Sequence, residues 1–362
     1  GALLLAGCGS GGEGGGGEPT AEPTSTAAGE PFKIGFNEGF TGFMATESTI
    51  AEKGILTALE MIDNQILGRP VKYIKVDNAS DPVQAVDKAR QLVESDKVDV
   101  MLGPIFSPAA QAVTGFLAKS TGTPQISIMG QPSDNLKTAN GLAFIPSGMY
   151  TAWGYFAGKY ASEELGFKTA NAIHYDDTAA HLLQAGFTKG FEEGGGKMLS
   201  INYTPMDAVD FSAYLSALPK ADCMHWWVFG NGSGPFVKQY HDYGLTAPLI
   251  STMANNIVEP VLADLGDLGL GMIACDIYSP QIDSELNKAF VEKYREMWKG
   301  EYPMAQAYAG WQAVMLFAEG VKKTGGDTTP VKLIEAMSTA SIDTPGGKVT
   351  MSPYKDAFVP TR

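Results

Sequence analysis

From Phe32 onward, strand signals alternate with helix signals, and the alternation restarts once along the chain. Residues 32–36 (Phe-Lys-Ile-Gly-Phe) read as a short buried strand. Ile55, Ala58, Leu59 and Ile62 follow near helical spacing, so residues 50–62 read as a helix. Residues 71–76 alternate as a strand does. Asp81-Pro82 is then a helix start, with Asp as the cap and Pro at the first helical position. That helix continues through Val86, Ala89, Leu92 and Val93. Residues 98–102 form a strand, Ser107-Pro108 opens a helix by the same cap chemistry, and strands at 125–129 and 143–146 close the first run.

After Ser147 the pattern begins again. Helices are expected at 150–165, 178–193, 210–218, 235–243 and 257–265. Strands are expected at 170–175, 198–203, 223–229, 248–251 and 272–278. Three helical segments, 284–298, 304–323 and 330–338, precede a strand at 347–351. Two successive strand–helix runs imply an α/β protein with two doubly wound parallel sheets, each covered by helices on both faces. Ligands of such sheets bind outside the carboxyl ends of the strands. Two lobes facing each other would place those ends around one cleft.

The length of 362 residues fits two domains, and 44% hydrophobic residues suffice for full cores. Lys and Arg number 26 against 40 Asp and Glu, a net charge of −14. That excess argues against nucleic acid, which needs clustered cations, and against adhesion to anionic membranes through a basic face. Cys8, Cys223 and Cys275 show no metal or disulfide spacing, and no pair of the four histidines sits in an HExxH frame. There is no uninterrupted run of about 18 apolar residues.

The opening Leu5-Ala6-Gly7-Cys8 follows an apolar stretch and precedes a Gly-rich segment. It resembles a bacterial lipobox, in which the Cys sulfur is lipidated; residues 1–8 then read as a truncated export signal, since a basic leading region is missing. Residues 9–31, first nearly all Gly and then rich in Pro, Thr, Ala and Glu, read as a flexible linker. The Gly run is no phosphate loop, because it follows no strand and lacks GK[ST].

Ile34-Gly35, Phe40-Thr41-Gly42, Asp81-Pro82 with Ala85, Ala89 and Leu92, then Leu102-Gly103-Pro104, occur in an order that resembles the type I periplasmic binding proteins, specifically the leucine/isoleucine/valine-binding class. Asp210-Phe211-Ser212 and Tyr308-Ala309-Gly310-Trp311-Gln312-Ala313 fit the same family. The resemblance spans about residues 32–355. It implies a Venus-flytrap: two lobes, three hinge crossings, and closure around a ligand. Lobe 1 would hold 32–146 and 280–340, and lobe 2 147–279 and 341–362. Family members continue past the position of Arg362 with another strand, so more chain is expected to follow.

The resemblance also nominates ligand contacts. Ser107 stands where a strand ends and a helix begins, a place suited to an anion; the family's Ser here binds the ligand carboxylate, and the plain alternative is a helix cap. Met129 would offer backbone groups, and Gln131 a polar side chain where the family often has Thr or Ser. In the second lobe the amino-acid binders place an acid that pairs the ligand ammonium; here Met253 falls there, with Asn255 and Asn256 beside it. A buried ammonium without a carboxylate is costly. Asp176 or Asp177, next to Thr178, either substitutes for that acid or serves as a cap. Glu47 is either an ammonium partner or a solvated carboxylate. Trp226 and Trp227 read as core; Phe229 reads equally as core or cleft wall. Met129, Met253 and Phe229 together would make an apolar, adaptable pocket.

These readings describe a lipid-anchored extracytoplasmic binder, held at the membrane only by its anchor. It would be monomeric, without cofactor or metal, and would deliver a small hydrophobic or aromatic carboxylate to an ABC permease. A true branched-chain amino acid with a substituted ammonium site, or a sensory protein of the same fold, are the alternatives. No enzymatic constellation competes: Gly230-Asn231-Gly232-Ser233-Gly234 fails the GxSxG frame, and His174 and His181 lack a third metal ligand. Cys223 and Cys275 are expected as free thiols.

Overall fold

The computed structural model describes residues 29–131, 141–253, 256–257, 259–352 and 357–358. Cys8, most of the linker and Asn255 lie outside the described residues.

The first sheet has the order β2-β3-β1-β4-β5-β6. Its centre is β1 (Phe32–Glu38), flanked in parallel by β3 (Arg69–Asp77) and β4 (Val100–Leu102). β5 (Gln125–Ile126) and β6 (Ala143–Phe144) continue it in parallel. β2 (Gln65–Ile66) pairs antiparallel with β3 across Leu67-Gly68, both at positive φ. The sequence reading missed this hairpin, whose first strand is only two residues long. α1 (Ala45–Met61), α2 (Pro82–Arg90) and α3 (Ser107–Lys119) connect these strands.

The second sheet has the order β11-β10-β9-β7-β8, all parallel. The strands are β7 (Thr169–Tyr175), β8 (Lys197–Thr204), β9 (Cys223–Trp227), β10 (Leu249–Thr252) and β11 (Ile273–Cys275). β9 is buried at every residue, as expected for a strand covered on both faces. Between them run α4 (Tyr150–Glu163), α5 (Thr178–Glu193), α6 (Ser212–Leu215), α7 (Ser233–Asp242) and α8 (Glu259–Leu265). The helix expected over 210–218 contracts to the single turn of α6, before Pro219. Cys223 and Cys275 are free thiols on β9 and β11, which β10 separates.

Three late helices follow: α9 (Glu285–Met297), α10 (Ala305–Lys323) and α11 (Pro330–Ser338). α10 returns to the first lobe. A Cβ on Gly54 of α1 would collide with the Ala307 carbonyl, and one on Gly310 would approach the Ala51 carbonyl. Only glycine lets these backbones approach so closely. The chain then forms β12 (Ser341–Thr344), β13 (Gly347–Met351) and β14 (Ala357–Phe358), a separate antiparallel sheet. Sequence reading found only β13. This sheet is tied to the late helices: the Tyr308 hydroxyl shares a 2.7 Å hydrogen bond with Thr344, and Ser284 Oγ donates to Pro345 O.

The cap expectations divide. Asp81 caps α2, accepting from Val83 N at 2.9 Å and Gln84 N at 2.8 Å. Ser107 does not cap α3. It is the first helical residue, Phe106 occupies the cap position, and no side chain closes the turn.

Candidate ligand-binding cleft

The strand ends of the first sheet carry three loops. Glu38 ends β1, the turn from Gly103 to Ser107 follows β4, and Met129 and Gln131 follow β5. The turn is held by side chains from its neighbours. Glu38 Oε2 accepts from Ile105 N at 2.6 Å, and Gln131 Nε2 donates to Ile105 O at 3.0 Å. Gln125 Nε2 donates to Gly103 O at 2.9 Å. Gln131 is therefore buried, with its amide nitrogen engaged by the protein.

Ser107 is half-buried, and its hydroxyl hydrogen-bonds the Tyr150 side chain instead of capping its own helix. The first amides of α3 have no carbonyl a turn earlier to meet, so this end keeps its affinity for negative charge. Tyr150 begins α4, just past the chain's first crossing, and was not singled out from sequence. It is 5% exposed, and burial pushes its phenol well above the usual value. A Cβ at Gly130 would lie 3.0 Å from both Tyr150 and Trp153, so this glycine lets the loop after β5 lie against α4. The only sequence signal for Tyr150 was an aromatic at the first residue of a helix that follows a crossing.

In the second lobe, Asp177 caps α5, accepting from Ala180 N at 2.7 Å. Desolvation pushes its carboxyl above the usual range, and its charge in turn raises Tyr150. Thr178, the first residue of α5, is exposed. Phe229 is half-buried and packs its ring against Tyr175 at 5.3 Å and Trp227 at 4.8 Å. Met253 is buried at a left-handed φ of 73°. Its N–H donates to Cys275 O, and its carbonyl accepts from Ser251 Oγ at 2.6 Å. Asn256 Oδ1 accepts from the same hydroxyl, which ties that side chain to the turn. Met129, Tyr150, Ala179, Trp227 and Met253 belong to one contiguous apolar cluster, with Phe229 packed against it. Trp226 instead stacks on Phe236 in a separate core.

Glu47 lies in the first turn of α1, half-buried, and desolvation raises its carboxyl. Of the histidines, His174 is buried and bonded to Gln184, while His181 pairs with Asp176 at the surface. Among the described residues no group of three His, Cys, Asp or Glu could hold a metal ion. No helix among them is long and apolar enough to cross a membrane.

Known proteins share this fold. A sequence model of the periplasmic binding protein family matches residues 31–359. A Leu/Ile/Val-binding protein homolog of Brucella abortus is 25% identical over 342 residues, covering 91% of this chain and 85% of that protein. The crystal structure of an ABC transporter solute binding protein from R. palustris, in complex with benzoate, is 26% identical with a TM-score of 0.81, covering 90% of this chain and 91% of that one. The branched-chain amino acid transporter substrate binding protein of Streptococcus pneumoniae, in complex with isoleucine, shares the fold at 23% identity and a TM-score of 0.79, covering 90% and 93%. With two parallel-sheet lobes and a family match over nearly its whole length, the chain belongs to the type I periplasmic binding proteins, in their leucine/isoleucine/valine-binding class.

Proposed function

We propose that this chain is the lipid-anchored solute-binding protein of an ABC importer of the branched-chain amino acid and amide type. It captures a small hydrophobic carboxylate between a lobe of residues 32–146 and 280–340 and a lobe of residues 147–279 and 341–362. Cys8 carries the lipid, and the closed lobes dock onto a permease.

One observation carries the ligand class. Ser107 stands beside the Tyr150 hydroxyl at the start of α3, while Met129, Met253 and Phe229 share one apolar cluster. A carboxylate gains charge-assisted hydrogen bonds at such an end, and an apolar body buries against methionine and phenylalanine. Met253 stands where the amino-acid binders keep an acid, so an ammonium would be left unpaired there. The benzoate complex of the R. palustris protein supports this reading. A second reading, a zwitterionic amino acid, draws on Glu47 in the first turn of α1 and Asp177 at the cap of α5, both desolvated carboxyls.

A thermal-shift screen of the full chain with benzoate, isoleucine and leucine tests the first reading. A ligand at about 100 times its Kd adds about 2.7 kcal/mol, a shift of several degrees. Benzoate shifts the transition and the two amino acids do not. Ser107→Ala weakens benzoate by about tenfold or more, the loss expected for a hydrogen bond to a charged group. A shift with isoleucine alone overturns the carboxylate-only reading in favour of the second.

A further inference from the structure

Glu38 is 1% exposed at the end of β1, directly under the turn that presents Ser107. Its Oε2 accepts from Ile105 N at 2.6 Å and its Oε1 from Gly39 N at 3.2 Å. Gln131 grips the same residue through the next peptide, at Ile105 O. A Cβ at Gly103 would lie 3.0 Å from Glu38 Oε2, and Gly103 sits at a φ of 77°, so the turn closes over this carboxyl only with glycine there. The hydrophobic strand β1 otherwise carries no charge near this end, and a carboxyl taken out of water is costly.

We propose that Glu38 is a positioning residue for ligand capture: its buried carboxyl holds the Ile105 peptide and thereby fixes where the Ser107 hydroxyl points. The inference rests on Ser107 as the contact for the ligand carboxylate. It adds a pH dependence to that contact. Burial raises Glu38 to about 8, the nearby Glu47 charge adds to this, and the Ile105 and Gly39 amides oppose it. The titratable groups acting with it are Glu47 on α1 and Tyr73 on β3. Burial favours the neutral, protonated form, and in that form a carboxylate ligand two residues along meets no competing charge. In alkali Glu38 ionises beneath the same turn, and like charges then oppose each other.

The test is calorimetric titration of the full chain with benzoate, and separately with isoleucine, at about pH 6.5 and about pH 9.5, on either side of the raised value. The wild type weakens by about tenfold at the higher pH, the size of effect that one neighbouring like charge exerts. Glu38→Gln keeps an acceptor for Ile105 N, binds like the wild type at the lower pH, and loses the pH dependence. Glu38→Ala weakens binding at both values, and its Ile105 amide exchanges faster with solvent. Wild-type affinity in Glu38→Ala, or an undiminished pH dependence in Glu38→Gln, overturns the proposal. Should Glu38→Ala not fold, the Glu38→Gln profile decides. Should neither probe bind the wild type, the ligand reading fails by itself, and amide exchange over residues 103–107 decides the positioning role. Protection in wild type and Glu38→Gln but not in Glu38→Ala upholds it; equal protection in all three removes it.

Discussion

Both lobes bury a polar network among their parallel strands, but with opposite chemistry. The first lobe buries an acid, Glu38, satisfied by backbone amides. The second buries two imidazoles, His174 on β7 and His225 on β9, with ring centroids 4.7 Å apart. Gln184 Oε1 accepts from both, at 2.7 Å from His174 Nε2 and 2.8 Å from His225 Nδ1. Each ring therefore carries its proton on that nitrogen, and His225 Nε2 accepts from Thr252 Oγ1 at 3.0 Å. His174 Nδ1 has no partner among the described residues. Desolvation favours the neutral form in both lobes. It raises the acid and lowers the histidines, so the first lobe loses stability as pH climbs from about 4.5 to about 8, and the second as pH falls below the ordinary histidine value.

The largest expected effect comes from the helix pairs that cover these sheets. In the second lobe, Gly154 and Gly158 of α4 face the carbonyls of Leu183 and Phe187, and Gly186 and Gly190 of α5 face those of Thr151 and Tyr155. The first lobe uses two glycines for the same purpose, Gly54 and Gly310, across α1 and α10. A side chain at any of them would meet backbone, which cannot rotate aside. Gly158→Leu destabilises the second lobe by about 3 kcal/mol or more, and Gly54→Leu does the same to the first. Denaturant unfolding, read by amide exchange on each sheet, separates the two. Loss of protection in both sheets at once would show that the lobes unfold as a unit, and the comparison would then hold only for local structure.

The acid limb comes next in size. At neutral pH His174 is uncharged in both folded and unfolded chains. Below about 6.5, the ordinary histidine value, the unfolded chain takes up a proton that the folded ring refuses until about 4. The unfolded state binds more protons across that window, so stability falls as pH falls, by about 3 kcal/mol from His174 alone. His225 adds to the loss, since its value is also lowered, in part by His174. Glu38 runs the other way: its contribution is whole below its ordinary 4.5 and is lost as pH rises through about 8. Amide exchange at about pH 4.5 should loosen β7 and β9 before β1 and β4. His174→Phe flattens that acid response while leaving the loss that Glu38 brings between about pH 4.5 and 8. Equal loosening of both sheets in acid would refute the assignment of the acid limb to the histidine pair.

Much of the architecture was legible because burial on both faces writes long apolar strands, and Asp before a helix writes its start. Helix 178–193 and strand 347–351 were read to the residue. The two-residue strands β2 and β5 were missed or overextended, because so short a segment carries no period. The antiparallel tail was half missed, since Ser341–Thr344 buries only alternate residues and reads as polar. Of the residues nominated for an apolar pocket, Met129, Met253 and Phe229 do meet in one cluster. The resemblance nominates Ser107 as a carboxylate contact, with a helix cap as the alternative; it does not cap, and its hydroxyl meets Tyr150, a contact that spans a crossing and leaves no trace in local sequence. Glu38 drew no reading from sequence, because its partner, Ile105 N, lies far along the chain.

The smallest effect separates two aspartates with the same local role. Asp81 and Asp177 each cap the helix that follows a strand, but only the charge of Asp177 acts on Tyr150. Asp81→Ala costs about 1 kcal/mol of stability and leaves ligand affinity unchanged. Asp177→Asn preserves the cap, because Asn serves there as well as Asp. It removes a negative charge from the neighbourhood of Ser107 and Tyr150. A carboxylate held by that pair then binds about two- to fivefold more tightly, the gain expected from lifting one partly screened repulsion. An amino acid whose ammonium relied on Asp177 would instead bind more weakly, by well over tenfold, because a buried cation would lose its partner. The sign of the change, measured with benzoate and with isoleucine, therefore tells whether the acid at the second lobe's helix start opposes the ligand's carboxylate or holds its ammonium.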